Sequence, residues 1–524
     1  MFSSICTRLR GKLAGSAAGV FLAATAGVAH AEWLRAESPH FIVYGDVNQG
    51  EMRAYVRKVE RFDAMLRLYY PVANARESGK LEIFLGHGID DLRRISPGLS
   101  GGIAGFYSGD VDRIFAVVDL SRSEGDSTLF HEYSHHFMRA NMPADYPGWF
   151  TEGFAEYYAT ADLGRDRVRI GMHSPGRMNS LTMPLNEWAS MESVLGKTEV
   201  PRSLGHSYYA QAWALTHYFM STPERQQLLS RYLKVLGAGG DPVESLRTVM
   251  DMTPAQLQNA IRSYVNGRIT YFTPLQPIEG PTEVAVAPMS RSARDLVWLD
   301  LRMDRLGPEG KAEALAQVRE RAARYPGDAF AEVVLAKAEI QDEKWEAAEA
   351  AVAPLVAADT TNTEALRLTA IARMHRADAD DVDPAQRVTM YRDARRLLAR
   401  AVQADPTDYR IYLGLDETRR TAPGYPTDND LEILLAAKDY APQVDEVRFL
   451  AAQGLVNQGI YLQAIEILAP VASNPHGGER SRPARALLAE AREKAGLAPS
   501  NTAAPPPDAD ESAGKGDEEP AEGS

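Results

Sequence analysis

The chain has 524 residues, 45% of them hydrophobic and 24% charged, with 40 Gly, 31 Pro and a single Cys. That is enough apolar sequence for about two to four domains with buried cores. A formal net charge of −14 argues against a nucleic-acid binder with a broad cationic surface, and one Cys excludes a disulfide framework or a metal site of several thiolates.

Arg8, Arg10 and Lys12 precede an apolar, small-residue stretch from Leu13 to Val28, and Ala29-His-Ala31 follows before Glu32. This is the pattern of a secretory signal peptide occupying residues 1–31. The stretch is short and Gly/Ala-rich for a span of about 20 apolar residues, and no second run of that length follows. Cys6 lies ahead of the apolar core, where a lipoprotein cysteine would not be. The expectation is an exported protein, periplasmic or secreted, with no stable membrane insertion after cleavage. Removal of the segment would take away Cys6 and leave a chain that cannot misoxidise in an oxidising compartment.

Residues 32–272 read as one α+β domain. His40-Phe-Ile-Val-Tyr44 and Leu81-Glu-Ile-Phe-Leu85 have strand character, and Tyr55, Val59, Phe62, Met65, Leu66 and Tyr69 give Glu51–Tyr70 a helical stripe. Ile103–Tyr107 and Ile114–Val118 form a hairpin through Ser108-Gly-Asp110. Asp126–Ala161 and His206–Val265 are mostly helical in pattern.

Four prolines (Pro274, Pro277, Pro281, Pro288) mark residues 273–293 as a linker. Residues 294–497 are Ala-rich, amphipathic and repetitive. Trp345, Ala348 and Asp359 are spaced by three and eleven, and so are Tyr391, Ala394 and Asp405; Tyr461, Ala464 and Pro475 repeat both intervals. Insertions near Asp378–Asp383 and Pro423–Asp430 make the period irregular. This all-α segment resembles the tetratricopeptide repeat, in which a large residue and a small Ala let two helices interlock. Residues 498–524 are rich in Pro, Asp, Glu and Gly, and are expected to be a disordered acidic tail.

The chemistry concentrates in Thr128-Leu-Phe-His-Glu-Tyr-Ser-His-His-Phe-Met138, which contains H-E-x-x-H as His131, Glu132 and His135. On a helix, residues four apart share a face, so both imidazoles can meet one metal ion, and Glu132 lies about 100° around the axis within reach of a bound water. Asp126 and Ser127 are start signals, and His136 falls off the ligand face, either behind the ligands or at the surface. Pro143, Pro147 and Gly148 then make a turn, and Trp149-Phe-Thr-Glu-Gly-Phe-Ala-Glu-Tyr-Tyr158 begins a second amphipathic helix. The sixteen residues between His135 and Glu152 let that helix pack back on the first.

H-E-x-x-H followed by this W-F-x-E-G-x-A-E-Y segment resembles the gluzincin, or peptidase MA-like, zinc metallopeptidases, most sharply over Thr128–Tyr158. The resemblance implies a zincin-like α+β metallopeptidase domain holding one Zn2+ per chain. It makes His131, His135 and Glu152 the metal ligands, Glu156 the carboxylate that orients a ligand histidine, and Glu132 the general base toward a zinc-activated water. An alternative assignment exchanges Glu152 and Glu156. Met138 and Asn141 stand where metzincins need Gly and a third His, which excludes that class. His206-Ser-Tyr-Tyr-Ala-Gln-Ala-Trp213 resembles the family helix that supplies an oxyanion donor; Tyr209 is chosen, with Tyr208 and His206 as competitors. The resemblance also suggests that strand Ile114–Val118 is an edge that pairs with an extended peptide.

Aminopeptidase relatives carry a G-x-M-E-N type motif, which Gly102-Ile-Ala-Gly-Phe-Tyr107 does not match, so endopeptidase action on a protein or peptide substrate is favoured. The repeats would offer a concave groove to a protein partner. Two other readings remain: an exported binding or assembly protein with a metallopeptidase-like domain of little hydrolytic activity, and a helical scaffold whose histidine motif is accidental.

Overall fold

The computed structural model describes residues 32–72, 79–142, 144–164, 167–183, 187–196, 202–281, 283–305, 310–474 and 481–497. The expected signal peptide and acidic tail lie outside the described residues, as do Pro143 and Pro475. The chain is α+β, with a mixed six-stranded sheet in its N-terminal part and a mostly helical C-terminal part.

The N-terminal part begins with β1 (Leu34–Glu37), β2 (Phe41–Gly45), α1 (Gln49–Tyr69), β3 (Leu81–Gly86), α2 (Ile89–Ile95), β4 (Gly105–Gly109) and β5 (Ile114–Asp119). Then come α3 (Gly125–Asn141), α4 (Gly148–Ala159), the two-residue strands β6 (Asp162–Leu163) and β7 (Val168–Arg169), α5 (Pro175–Thr182) and α6 (Met191–Val194). Four more helices, α7 (Gly205–Met220), α8 (Pro223–Gly237), α9 (Pro242–Met250) and α10 (Pro254–Val265), precede strand β8 (Ala285–Pro288).

The sheet order is β4-β5-β3-β2-β1-β8, with β2, β3 and β5 parallel and the outer pairs antiparallel. This order corrects two expectations. Strand β5 is not an edge: the hairpin lays β4 outside it, so β4 is the edge beside α3. The stretch read as a linker contributes β8, which pairs with β1 and closes the opposite side of the sheet. Strand β8 ends at Pro288, and an edge position is where a residue without an N–H costs the ladder least.

One sheet face packs under α1 and α3. Val43, Ile83, Leu85, Ala116 and Val118 are buried against Val59, Phe62, Phe130 and Phe137. Phe62 stacks on Phe130 with centroids 4.1 Å apart, which fixes α3 against α1. The other face buries Phe84, Phe106, Phe115 and Val117 against α2 and the first helix of the C-terminal part. Each such aromatic contributes about 1.5–3 kcal/mol on leaving water.

The C-terminal part runs α11 (Ala293–Met303), α12 (Lys311–Ala322), α13 (Ala329–Gln341), α14 (Trp345–Ala358), α15 (Thr363–Ala377), α16 (Pro384–Ala404), α17 (Tyr409–Glu417), α18 (Asp428–Tyr440), α19 (Asp445–Asn457), α20 (Tyr461–Ala472) and α21 (Ser481–Lys494). Consecutive helices pack on one another along the chain. The spacing found in the sequence has a local structural counterpart. Ala348, Ala394 and Ala464 are all fully buried. Asp359 and Asp405 end their helices in the same extended conformation, and each side chain accepts from the N–H and hydroxyl of a Thr two residues on. Three residues later, Asn362 and Asp408 cap the next helix.

The inner side of this helical part is turned on the sheet. Lys337 of α13, Glu364 of α15 and Arg410 of α17 share a cavity of about 2520 Å³ with Arg35, Tyr44 and Arg113. Arg113 pairs with Glu82 at 2.9 Å and with Asp300 of α11 at 2.8 Å. Lys337 continues the chain of charges to Glu364, which also meets Arg367 and Arg410. At the far end Arg139 of α3 donates to Asn474, and Arg448 donates to the Arg139 carbonyl. The inner side of the helical part thus borders the sheet across this cavity. Among the described residues, no helix is long and apolar enough to cross a membrane.

Candidate functional site

Helices α3 and α4 pack against each other and bring their polar residues to one point. Helix α3 starts at Gly125, so Asp126 and Ser127 lie inside its first turn rather than capping it; Asp126 instead pairs with Lys58 at 2.6 Å. Its orientation is set by α1, through the Phe62–Phe130 stack and a 2.6 Å hydrogen bond from the Tyr133 hydroxyl to Asp63. Helix α4 is held from behind by α7. A Cβ on Gly153 would sit 2.1 Å from Thr216 Oγ1 and 2.3 Å from the Ala212 carbonyl, so only glycine lets α7 cross this close. The residue beside it, Glu152, is thereby locked in depth.

His131 Nε2 and His135 Nε2 are 3.1 Å apart. Glu152 Oε2 lies 3.7 Å from the first and 3.5 Å from the second. A tetrahedral ion with bonds of about 2.0–2.1 Å to N and O needs ligand atoms roughly 3.3 Å apart, so the three atoms suit one face of such a site. His135 is nearly buried and Glu152 wholly so. A buried carboxylate facing two imidazoles calls for positive charge, and a dication is one way to supply it. Burial holds His131 below the ordinary imidazole range, in opposition to the pull of Glu156. The neutral ring is also the form that binds metal.

Glu156, one turn beyond Glu152, does not point at the same spot. Its Oε1 lies 3.4 Å from His131 Nδ1, on the far side of the ring from Glu152. The two carboxylates are thus separated in space: Glu152 converges with the ring nitrogens, and Glu156 backs one ring. Burial opposes charge on Glu156, but Arg177 outweighs it and keeps the carboxyl below its ordinary range. Arg177 makes a fork to both Glu156 oxygens at 2.9 and 2.6 Å. Sequence reasoning missed this arginine. It arrives from α5 after two short strands, and nothing in Pro175-Gly-Arg-Met marks it.

Glu132 remains partly exposed beside His131. His136 is neither at the surface nor against the ligand atoms. It is buried, stacks on Tyr133 and meets the Tyr107 hydroxyl at 3.1 Å, and burial pushes its pKa down to about 3. Of the three oxyanion candidates, His206 is exposed. Tyr208 is buried where its phenol feels Glu152, while Tyr209 is half-buried beneath the Arg177 guanidinium, 5.6 Å from ring to cation.

The domain family described as "Protein of unknown function (DUF1570)" matches residues 127–239. That span runs from the first turn of α3 to just past α8, so it holds the whole cluster and none of the helical part. No curated protein matches the chain.

 A second histidine–carboxylate group is formed by His40, just before β2, with Glu60 and Asp63 of α1. It is tied to α3 by the Tyr133 hydroxyl, which donates to Asp63 of α1. His40 Nδ1 lies 2.9 Å from Glu60 and 3.3 Å from Asp63. Glu60 also accepts from the His40 backbone N–H, and Asp63 from Arg67 and the Tyr133 hydroxyl. These carboxylates are satisfied by protein donors, as in a structural network.

Proposed function

We propose that the chain is an exported zinc-dependent endopeptidase, with a zincin-like domain followed by tetratricopeptide-like helices. The observation that carries this reading is the convergence of His131 Nε2, His135 Nε2 and Glu152 Oε2 within 3.1–3.7 Å of one another, on two packed helices. Three protein ligands leave one position open, the mark of a catalytic rather than a structural zinc. When bound, zinc would polarise a substrate carbonyl and acidify a water molecule. Glu132, next to His131 and partly exposed, would accept a proton from the attacking water and return it to the leaving amine. Glu156 holds His131 by its Nδ1, which leaves Nε2 for the ion. Tyr209, more accessible than Tyr208, donates to the developing oxyanion.

Strand β4 supports a peptide substrate. Asp119 donates to the Ala104 carbonyl and Phe106 lies opposite Val117, so the alternate residues Gly105, Tyr107 and Gly109 turn their backbone groups away from β5. An extended peptide can pair along that edge. The absence of an aminopeptidase-type anchoring motif favours internal bonds. Export rests on the N-terminal pattern of residues 1–31. The helical part would recruit a protein substrate or partner.

The test is cleavage of casein by the full chain and by Glu132→Gln. We expect the variant to retain zinc and to lose activity by about 10²–10⁴-fold. A wild-type protein that holds zinc yet leaves casein and a peptide library intact would replace the enzyme by the binding or assembly reading.

A further inference from the structure

We propose that Arg177 is a positioning residue for the metal centre, acting through Glu156 on the orientation of His131. The inference rests on the reading of His131, His135 and Glu152 as metal ligands. Glu156 Oε1 lies between two partners, Arg177 Nη2 at 2.6 Å and His131 Nδ1 at 3.4 Å, while Arg177 Nε holds the other oxygen at 2.9 Å. A two-pronged contact fixes the plane of the carboxylate as well as its place, which a single charge would not do. The fixed carboxylate favours the His131 tautomer with a proton on Nδ1 and so directs Nε2 at the ion.

The arginine is itself well placed. The segment entering α5 is tied down where Ile170 pairs with Phe272 and where the Gly171 carbonyl meets His217 Nε2 at 2.9 Å. The end of α5 is tied by Trp188 Nε1, which donates to the Leu181 carbonyl at 3.1 Å. Glu152 and Glu156 are buried one turn apart on α4, so the pair carries two negative charges into a space with little water. Arg177 balances the charge on the outer one.

Zinc affinity, measured by competition with a chelator, tests this in the full chain, with the absorption spectrum of the Co2+-loaded protein as a second readout. We expect Arg177→Met to weaken zinc about 10–100-fold and to shift the Co2+ bands, the range for a group that orients a ligand. Arg177→Lys should recover only part of the loss. Since Arg177→Met strands a buried carboxylate, Glu156→Gln and the double variant Glu156→Gln/Arg177→Met are made alongside. If Arg177 acts through Glu156, the double variant binds zinc no worse than Glu156→Gln alone. Additive losses, or wild-type affinity and spectrum in Arg177→Met, would overturn the proposal while leaving the metal site intact. A wild type that binds no zinc overturns the metal reading as well.

Discussion

Two groups of one or two histidines with buried carboxylates are linked through the Tyr133–Asp63 hydrogen bond between α3 and α1, yet their surroundings differ. At His40, Glu60 and Asp63 each carboxylate has donors of its own: a backbone N–H, an imidazole, the Arg67 guanidinium and the Tyr133 hydroxyl. At His131, His135 and Glu152 two ring nitrogens and one carboxylate oxygen converge on a common point, and the outer carboxylate is taken up by Arg177. Proximity of ligand-type atoms is common to both. What separates them is geometry: the first brings three ligand-type atoms to one point, while the second distributes its carboxylates over several donors.

The comparison can be broken most directly at the first group. His135→Ala should weaken zinc by more than about 10²-fold, beyond the effect of an outer partner, whereas His40→Ala should leave zinc affinity unchanged; chelator competition reads both. Asp63→Ala should instead cost about 2–3 kcal/mol of stability by urea unfolding of the metal-free protein, because Tyr133 and Arg67 lose their acceptor, with the partial exposure of Arg67 softening the loss. Gly153→Ala probes the support of the first group. Its new methyl meets the Ala212 carbonyl, so α4 and α7 must separate, at about 1–3 kcal/mol, with weaker zinc binding from the displaced Glu152.

The smallest effect is in the pH dependence of the second group. Burial opposes ionisation of Glu60, but His40 outweighs it and the folded carboxyl lies below its ordinary value. Its contribution is therefore present above the unfolded carboxyl range, about pH 4.3, and is lost as pH falls through the lower folded value. Melting temperatures of metal-free protein between pH 6 and 3 should fall less steeply in Glu60→Gln than in wild type.

Much of the site was legible in the sequence because helical spacing is local. His131 and His135 share a face by their four-residue interval, and Glu152 and Glu156 follow from the second helix. The separation of roles between those two glutamates needed the crossing of α3 and α4. Arg177 needed more: it reaches Glu156 from twenty-one residues away, through short strands with no periodicity of their own. The same holds for the sheet. The parallel strands were plain from their apolar runs, but β1 and β8 have four residues each, too few for a pattern, and an edge is a property of the assembled sheet. The helical character of the C-terminal part could be read from its Ala-rich amphipathic pattern. That its inner side borders the sheet across a cavity could not, since it depends on contacts such as Arg113 to Asp300 that are far apart in sequence.

The central claim is that one ion is held by His131, His135 and Glu152. Elemental analysis of the purified full chain, reconstituted with zinc and dialysed, tests it most directly beside Glu152→Ala. The account predicts about one zinc per chain in the wild type and almost none in the variant. A wild type without zinc, or a variant that keeps its full complement, would contradict it.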